Sequence, residues 1–480
     1  MELSEKQQIA FEKYKRGENI FITGPGGSGK SELIRRIYAD AQNNNKKITV
    51  CALTGCAAVL LKCNAKTIHS WGGLGKCVGD PADIVKRIKA NRYKKSAWAT
   101  VDVLVIDEVS MMSLKLFHVI DNLGKKIRKK EWLPFGGIQL IFSGDFHQLP
   151  PVGDKDEIET RQFCFESDRW LETFSISNHI LLTKIFRQED RIYCNILNQL
   201  REGKLKKSSY EILMKQVGKE PDTNNIVKPT RLFPRKARVD SVNQAEMAKI
   251  DGDEKAFDVV RVHEVCPPEK SSNKDYTEKE VDFEFSYLEN SKPGDKKVIL
   301  KPGAQVMCIV NIDDAGKGYS LCNGSQGKVL RFSEQGLPVV KFNGIPEPLT
   351  VSPHTWQSES VPHIGISQVP LMLSWALTIH KAQGATLDLA EIDVGSEVFE
   401  AGQTYVALSR VKSLEGLYLK DFNFQKVITN KKVKDFYKYI QNEQDNPSLP
   451  KPESKMESKS KPKPKPKPSS VFEQFIFKTS

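Results

Sequence analysis

Short, uninterrupted apolar runs alternate along this chain with longer segments whose apolar residues recur at helical spacing. NIFITGPGGSGKS reads as a short buried strand, a Gly-rich loop and a helix start. KKITVCALTG, VDVLVI (101–106) and IQLIFS (138–143) are three more such runs, rich in β-branched residues. Strands buried on both faces need no polar alternation, so this pattern predicts a parallel sheet with helices on each side. Residues 4–16 predict a helix opening at Ser4, with Ile9, Phe11 and Tyr14 as its apolar positions. A second α/β unit is expected from about Ile180, with a strand in PTRLF (229–233), resuming in VPLMLSWALTIHKAQG. Between about 251 and 362, charged segments with Gly and Pro alternate with short strands such as AQVMCIVNI, QGKVLRF and PVVKF. That texture predicts a small antiparallel barrel inserted into the second unit.

From Asn446 the pattern disappears into KPESKMESKSKPKPKPKPSS, a Lys-Pro repeat that cannot bury a core and is expected to be extended and disordered. It ends in the apolar peptide VFEQFIFKTS. The expected division is therefore 1–179, then 180–250 with 363–440, the insertion 251–362, and a tail 441–480. Net charge is +12, which suits a polyanionic partner. Residues 446–470 carry seven Lys and two Glu, so +5 belongs to the tail and +7 to the rest. No run approaches the roughly 18 apolar residues of a membrane span, and MELSEKQQIAFEKY lacks the apolar core of a secretion signal. The expectation is a soluble intracellular protein of nucleus or cytoplasm, viral replication sites included. Nine cysteines occur without a CxxC pair; this implies free thiols rather than zinc ligands.

GPGGSGKS (24–31) matches the phosphate-loop pattern in full, after a strand and before a helix. Gly24, Gly26, Gly27, Ser28 and Gly29 let backbone amides turn toward phosphate oxygens at the positive end of a helix. Lys30 is placed to reach the β- and γ-phosphates, and Ser31 to ligate Mg²⁺. At the end of the strand VLVIDE, Asp107 is placed to hold the same metal and Glu108 to orient and deprotonate a water. IFSGDFHQLPPV sets Gln148 three residues beyond Asp145, where an amide can sense the γ-phosphate. The expected cofactors are ATP and Mg²⁺.

With DEVSMM, FGGIQLIFSGDFHQLPPV, LTKIFRQED, LSWALTIHKAQGATLD and YVALSRV in this order, residues 3–420 resemble the superfamily 1B helicases. The resemblance is to the petite integration frequency (Pif-one) type, with RecD-like and phage Dda-like helicases as cousins. It implies two tandem RecA-like motor domains, and makes the 251–362 insertion a Src-homology-like barrel that closes over DNA. It places Gln7 where the family reads adenine, and Arg187 and Arg410 on the γ-phosphate from the second motor domain. Gln383 and Gly384 would couple nucleotide state to the DNA groove; Ala382 stands where relatives commonly have Ser. For the strand track it points to Thr54, Gly55, Thr67, His69, Ser70 and Trp71, then to Thr378, His380 and Lys381. Trp71 fits either a base platform or a core residue. Residues 73–99 match the family's wedge insertion.

The resemblance implies a monomeric motor that moves 5′→3′ on single-stranded DNA and separates forked duplexes in replication, repair or recombination. An RNA or RNA–DNA hybrid helicase, and a translocase without strand separation, stay open. A P-loop kinase or switch GTPase predicts neither two distal arginines nor the GDFHQLPP loop. A scaffold with a dead motor is opposed by the intact Lys30, Ser31, Asp107, Glu108, Gln148, Arg187 and Arg410. The terminal peptide is placed to present Phe472, Phe475 and Phe477 to a replication-protein partner.

Overall fold

The computed structural model describes residues 3–446 apart from 62, 76, 78, 189, 222–226, 266–275, 293, 311, 315–318, 322–323, 359–360 and 362. The Lys-Pro tail and its terminal peptide therefore lie outside the described residues.

The apolar runs of the N-terminal half do form a parallel sheet. Its strands are β1 (Ile20–Thr23), β2 (Ile48–Ala52), β3 (Lys66–Thr67), β4 (Val103–Asp107), β5 (Gln139–Gly144) and β6 (His179–Leu181), in the spatial order β3-β2-β4-β5-β1-β6. β1 lies between β5 and β6, so the phosphate loop leaves the sheet interior with β5's GDFHQ loop beside it. Helix Glu5–Lys15 opens at Ser4, as its pattern predicts. The segment expected to be a wedge contains a pair of helices, Pro81–Ala90 and Arg92–Thr100.

The expected break at 179/180 falls inside β6, because His179, Ile180 and Leu181 pair with Phe21, Ile22 and Thr23. The second parallel sheet has Ala376–Thr378, Thr230–Phe233, Ala390–Val394 and Leu417–Phe422 in that order. The insertion is wholly antiparallel where described. It has a five-stranded sheet, a three-stranded sheet and two two-stranded pairs (Lys255–Asp258 with Lys297–Leu300, and Ile312–Asp314 with Tyr319–Leu321) that carry strands between 255 and 373. It outlasts the expected 362 boundary, since Leu371–Leu373 pairs with Gln305–Cys308. One apolar run thus serves two sheets: LML ends the insertion, and ALT three residues later rejoins the motor.

The final helix, Lys431–Asp445, crosses the expected 440/441 boundary and returns to the first sheet. Val433, Phe436 and Ile440 fall on one face at helical spacing. They are buried in the aromatic core of Phe21, Phe146, Phe165 and Trp170. Cys51, Cys63, Cys77, Cys164, Cys194 and Cys308 are free thiols, and no metal-binding cluster occurs among the described residues. No described helix is long and apolar enough to cross a membrane.

Candidate nucleotide and strand sites

The phosphate loop is held from three sides. Gly27 has φ +81°, and a Cβ there would lie 2.5 Å from the Arg187 Cβ, so only glycine lets residues 186–188 lie along the loop. Phe186 donates its amide to the Gly27 carbonyl at 2.8 Å. Gln7 donates to the Gly29 carbonyl at 3.1 Å, while its amide oxygen accepts from Ser4 in a capping box. Lys30 starts the helix Lys30–Asn43, and its ammonium donates to the carbonyls of Gly24 and Pro25. Burial lowers the Lys30 pKa, opposed by Asp145, Glu108 and Asp107. Ser31 follows on the same first turn.

β4 brings Asp107 to its carboxyl end and leaves Glu108 in a left-handed conformation, φ 57°. That conformation is uncommon for a residue with a side chain and clusters at functional sites. Burial, with Glu108 adding to it, pushes the Asp107 carboxyl up to about 6. Gln383, arriving from the second domain, donates its amide to Glu108 at 3.1 Å. Gly384 follows it in a left-handed turn.

The two arginines meet at the loop. A Cβ on Gly26 would lie 3.5 Å from one Arg410 guanidinium nitrogen and 3.8 Å from one of Arg187. Burial and the Arg187 charge lower Arg410 to about 10, and burial lowers Arg187 as well. Two like charges desolvated together are costly unless an anion joins them.

On the same scaffold, the buried Asp107 carboxyl, with its raised pKa, is suited to a cation. Ser28 Oγ and Gln148 Oε1 are buried without a hydrogen-bond partner. This donor set fits a magnesium-bound polyphosphate. The arginines and Lys30 would meet the phosphates, and Ser31 and Asp107 would hold the metal.

Residues that sequence reasoning missed tie the halves together. Arg201, on the helix Arg191–Glu202, makes a two-pronged 2.9 Å pair with Asp145 of the GDFHQ loop. Against the burial that would raise it, Arg201 holds the Asp145 carboxyl below its usual range. The Tyr405 hydroxyl accepts from the Gly26 amide at 3.0 Å and donates to Asp145 at 3.3 Å. Tyr437 of the final helix bonds Thr23 at 2.6 Å and accepts from the Phe146 amide at 3.2 Å. Gly402, with φ +80°, caps the helix that carries Tyr405; a Cβ there would lie 2.6 Å from the backbone oxygens of His147 and Gln148. Only Tyr405 had a signal, lying within YVALSRV. Arg201 and Tyr437 become informative only through tertiary contact.

A second site lies beyond β3. Gly55, Thr67, Ser70 and Trp71 line a cavity of about 510 Å³ together with Lys66, Lys94, Tyr93 and residues of the insertion. Thr54, Thr67 and Thr378 share one geometry: each hydroxyl oxygen accepts the amide three residues on, from Ala57, Ser70 and Lys381. The cap leaves each hydroxyl hydrogen available to donate.

Trp71 is 6% exposed and packs on Trp98 at 4.6 Å, so the core alternative accounts for most of its surface. Burial lowers the pKa values of His69 and His380. Thr54, His69, Thr378, His380 and Lys381 are not on the cavity wall. Lys381 reaches it through the field it exerts on Lys292, a wall residue.

Burial, reinforced by Lys94, lowers Lys66 to about 8, with Cys51 and Glu284 opposing the shift. Burial likewise lowers Lys292 to about 8. A phosphate held here would favour the charged ammonium, so a single strand bound in this cavity would take up protons. Affinity for a single strand is therefore full below pH 8 and falls as pH rises through 8. Titrations at constant ionic strength should show roughly tenfold weaker binding at pH 9 than at pH 7 per responding lysine; ordinary lysines would give almost no change.

A family model described as PIF1-like helicase matches residues 2–218. The ATP-dependent DNA helicase PIF1 of Emericella nidulans is 34% identical over 502 residues, covering 92% of this chain and 63% of that protein. The ATP-dependent DNA helicase Pif1 of Bdellovibrio bacteriovorus is 34% identical over 442 residues, covering 92% of this chain and 93% of that protein. Among solved structures, the Pif1 helicase from Candida albicans matches with a TM-score of 0.73 and 32% identity, over 92% of this chain and 100% of that one. This chain thus spans just under two thirds of the Emericella relative and nearly all of the bacterial one. With a relative 34% identical along 93% of its own length and a solved Pif1 helicase structure matching at a TM-score of 0.73, the chain belongs to the PIF1-like helicase family.

Proposed function

We propose that this chain is an ATP-dependent DNA helicase that moves 5′→3′ along a single strand and opens the duplex ahead of it. The observation that carries the reading is the meeting of Arg187 and Arg410 at Gly26, with Gln383 on Glu108, because it builds one nucleotide site from both motor domains. Magnesium ATP supplies the phosphoryl bond whose cleavage drives the cycle. Glu108 orients and deprotonates the attacking water, and Gln148 and Gln383 hold its surroundings. The guanidiniums of Arg187 and Arg410 neutralise the charge that builds on the transferring oxygens.

Hydrolysis relaxes what holds the arginines at the loop, so each turnover opens and closes the cleft that Tyr405 and Arg201 brace. The strand is gripped by Thr67, Ser70 and Gly55 in one domain and by Thr378, His380 and Lys381 in the other. Gripping in alternation, they advance it by about a nucleotide per cycle. The wedge helices Pro81–Ala90 and Arg92–Thr100 stand beside the first grip.

Matched duplexes with only a 5′ or only a 3′ single-stranded tail test the reading. Displacement from the 5′ tail alone is expected. Displacement from the 3′ tail alone would keep the motor and overturn its direction. ATP hydrolysis without displacement from either would favour a translocase.

A further inference from the structure

The helix Glu278–Ser291 of the insertion supplies Glu284, Tyr287 and Leu288 to the wall of the strand cavity. Helix Glu278–Ser291 opens at Thr277 with a capping box and buries Phe285 against Val361, Ile364 and Ile366. Its start is stacked on the wedge, Tyr276 lying 6.0 Å from Tyr93. Glu284, Tyr287 and Leu288, spaced for one helix face, line the cavity opposite Thr67, Ser70 and Trp71.

The acids beyond the first turn of this helix divide in two. Asp282 and Glu289 pair with Arg261, and Glu289 also with Lys296, away from the cavity. Glu284 instead enters the cavity wall shared with Lys66 and Lys94. The Ser358 hydroxyl donates to it at 2.8 Å and fixes its carboxylate. A carboxylate in a cavity lined for a polyanion opposes binding, unless it does what the polyanion later does.

We propose that Glu284 stands in for a strand phosphate, holding the helix Glu278–Ser291 across the cavity through Lys66 and Lys94 until an entering single strand displaces it. The insertion helix thereby becomes a strand-sensing lid whose release requires nucleic acid. The proposal rests on the reading that the strand runs through this cavity. Consistent with it, the Glu284 charge raises the Lys66 and Lys94 pKa values against the burial that lowers them.

Binding of a fluorescein-labelled oligothymidylate, followed by anisotropy over a salt series, tests it. Glu284→Gln keeps the shape and the Ser358 partner but removes the charge. It should tighten binding roughly three- to tenfold, and steepen the slope of log K on log salt by about 0.7, the increment for one more single-strand phosphate neutralised. Glu284→Ala should move the same way. Asp282→Asn removes the same charge from the outer face and should change affinity less than about twofold.

An unchanged or weaker Glu284→Gln, or an equal effect of Asp282→Asn, would overturn the proposal. Lys66→Ala separates the two readings. Weaker binding by Lys66→Ala with no gain in Glu284→Gln would sink the lid alone. No effect of Lys66→Ala would remove the strand from this cavity altogether.

Discussion

Replacing Arg410 with alanine is expected to lower strand-stimulated ATP turnover about 10³-fold or more, the range typical of an arginine that completes a phosphoryl-transfer site. The argument is geometric. Arg410 is anchored by its own domain, donating to the carbonyl of Val406 at 2.9 Å and, through Nη2, to Ser409 Oγ at 2.8 Å, yet that same Nη2 lies beside Gly26 of the other. Arg187 lies beside it, and its charge adds to the burial that depresses Arg410's affinity for a proton, a cost that a shared anion offsets. Arg187→Ala should therefore fall in the same range. Nucleotide binding should survive, because Lys30 and the loop amides belong to the first domain. Arg410→Lys is the informative companion: it keeps the charge and bulk but loses the planar fork. Steady-state kinetics should show a collapse in kcat with little change in KM for both variants; preserved turnover in Arg410→Lys would mean that charge alone is enough.

The second large effect is expected at Glu108. Glu108→Gln keeps the side chain's shape and removes its basicity, so hydrolysis should drop by about 10²–10⁴-fold, the usual worth of a positioned base. The left-handed backbone at Glu108 aims the carboxylate away from the path of β4, and Gln383 fixes it there. Binding of nucleotide and of single-stranded DNA should be retained, which makes the variant a stalled complex rather than an unfolded one. Single-turnover hydrolysis read beside strand binding by anisotropy checks this. Loss of both activities together would place Glu108 in the fold instead of the chemistry.

What the sequence disclosed follows from how local each feature is. The phosphate loop, Asp107 and Glu108 are set by strands and turns a few residues long, and their patterns survive translation into structure almost unchanged. Strand pairing across long separations is less legible. VPLMLSWALT reads as one apolar run, although Leu371–Leu373 pairs antiparallel with the insertion and Ala376–Thr378 pairs parallel with Thr230–Phe233. β6 was assigned to the wrong unit for the same reason: three residues carry no mark of which sheet they join.

The expected boundary at 440/441 falls inside the final helix, Lys431–Asp445. Val433, Phe436 and Ile440 already showed the spacing that buries it. Arg201, Tyr437, Lys66 and Glu284 had no local signature at all. Each acts through a partner far along the chain, Arg201 through Asp145 and Tyr437 through Thr23, so only the folded chain reveals them.

The central claim is that one nucleotide site, shared by two domains, drives strand separation. Displacement of a forked duplex with Mg-ATP, by the wild-type chain and by Lys30→Ala at matched DNA occupancy, tests it most directly. The account predicts rapid displacement by the wild type and none by Lys30→Ala, with both binding the fork equally. Displacement by Lys30→Ala, or its absence in a wild-type chain that hydrolyses ATP on the same fork, would contradict it.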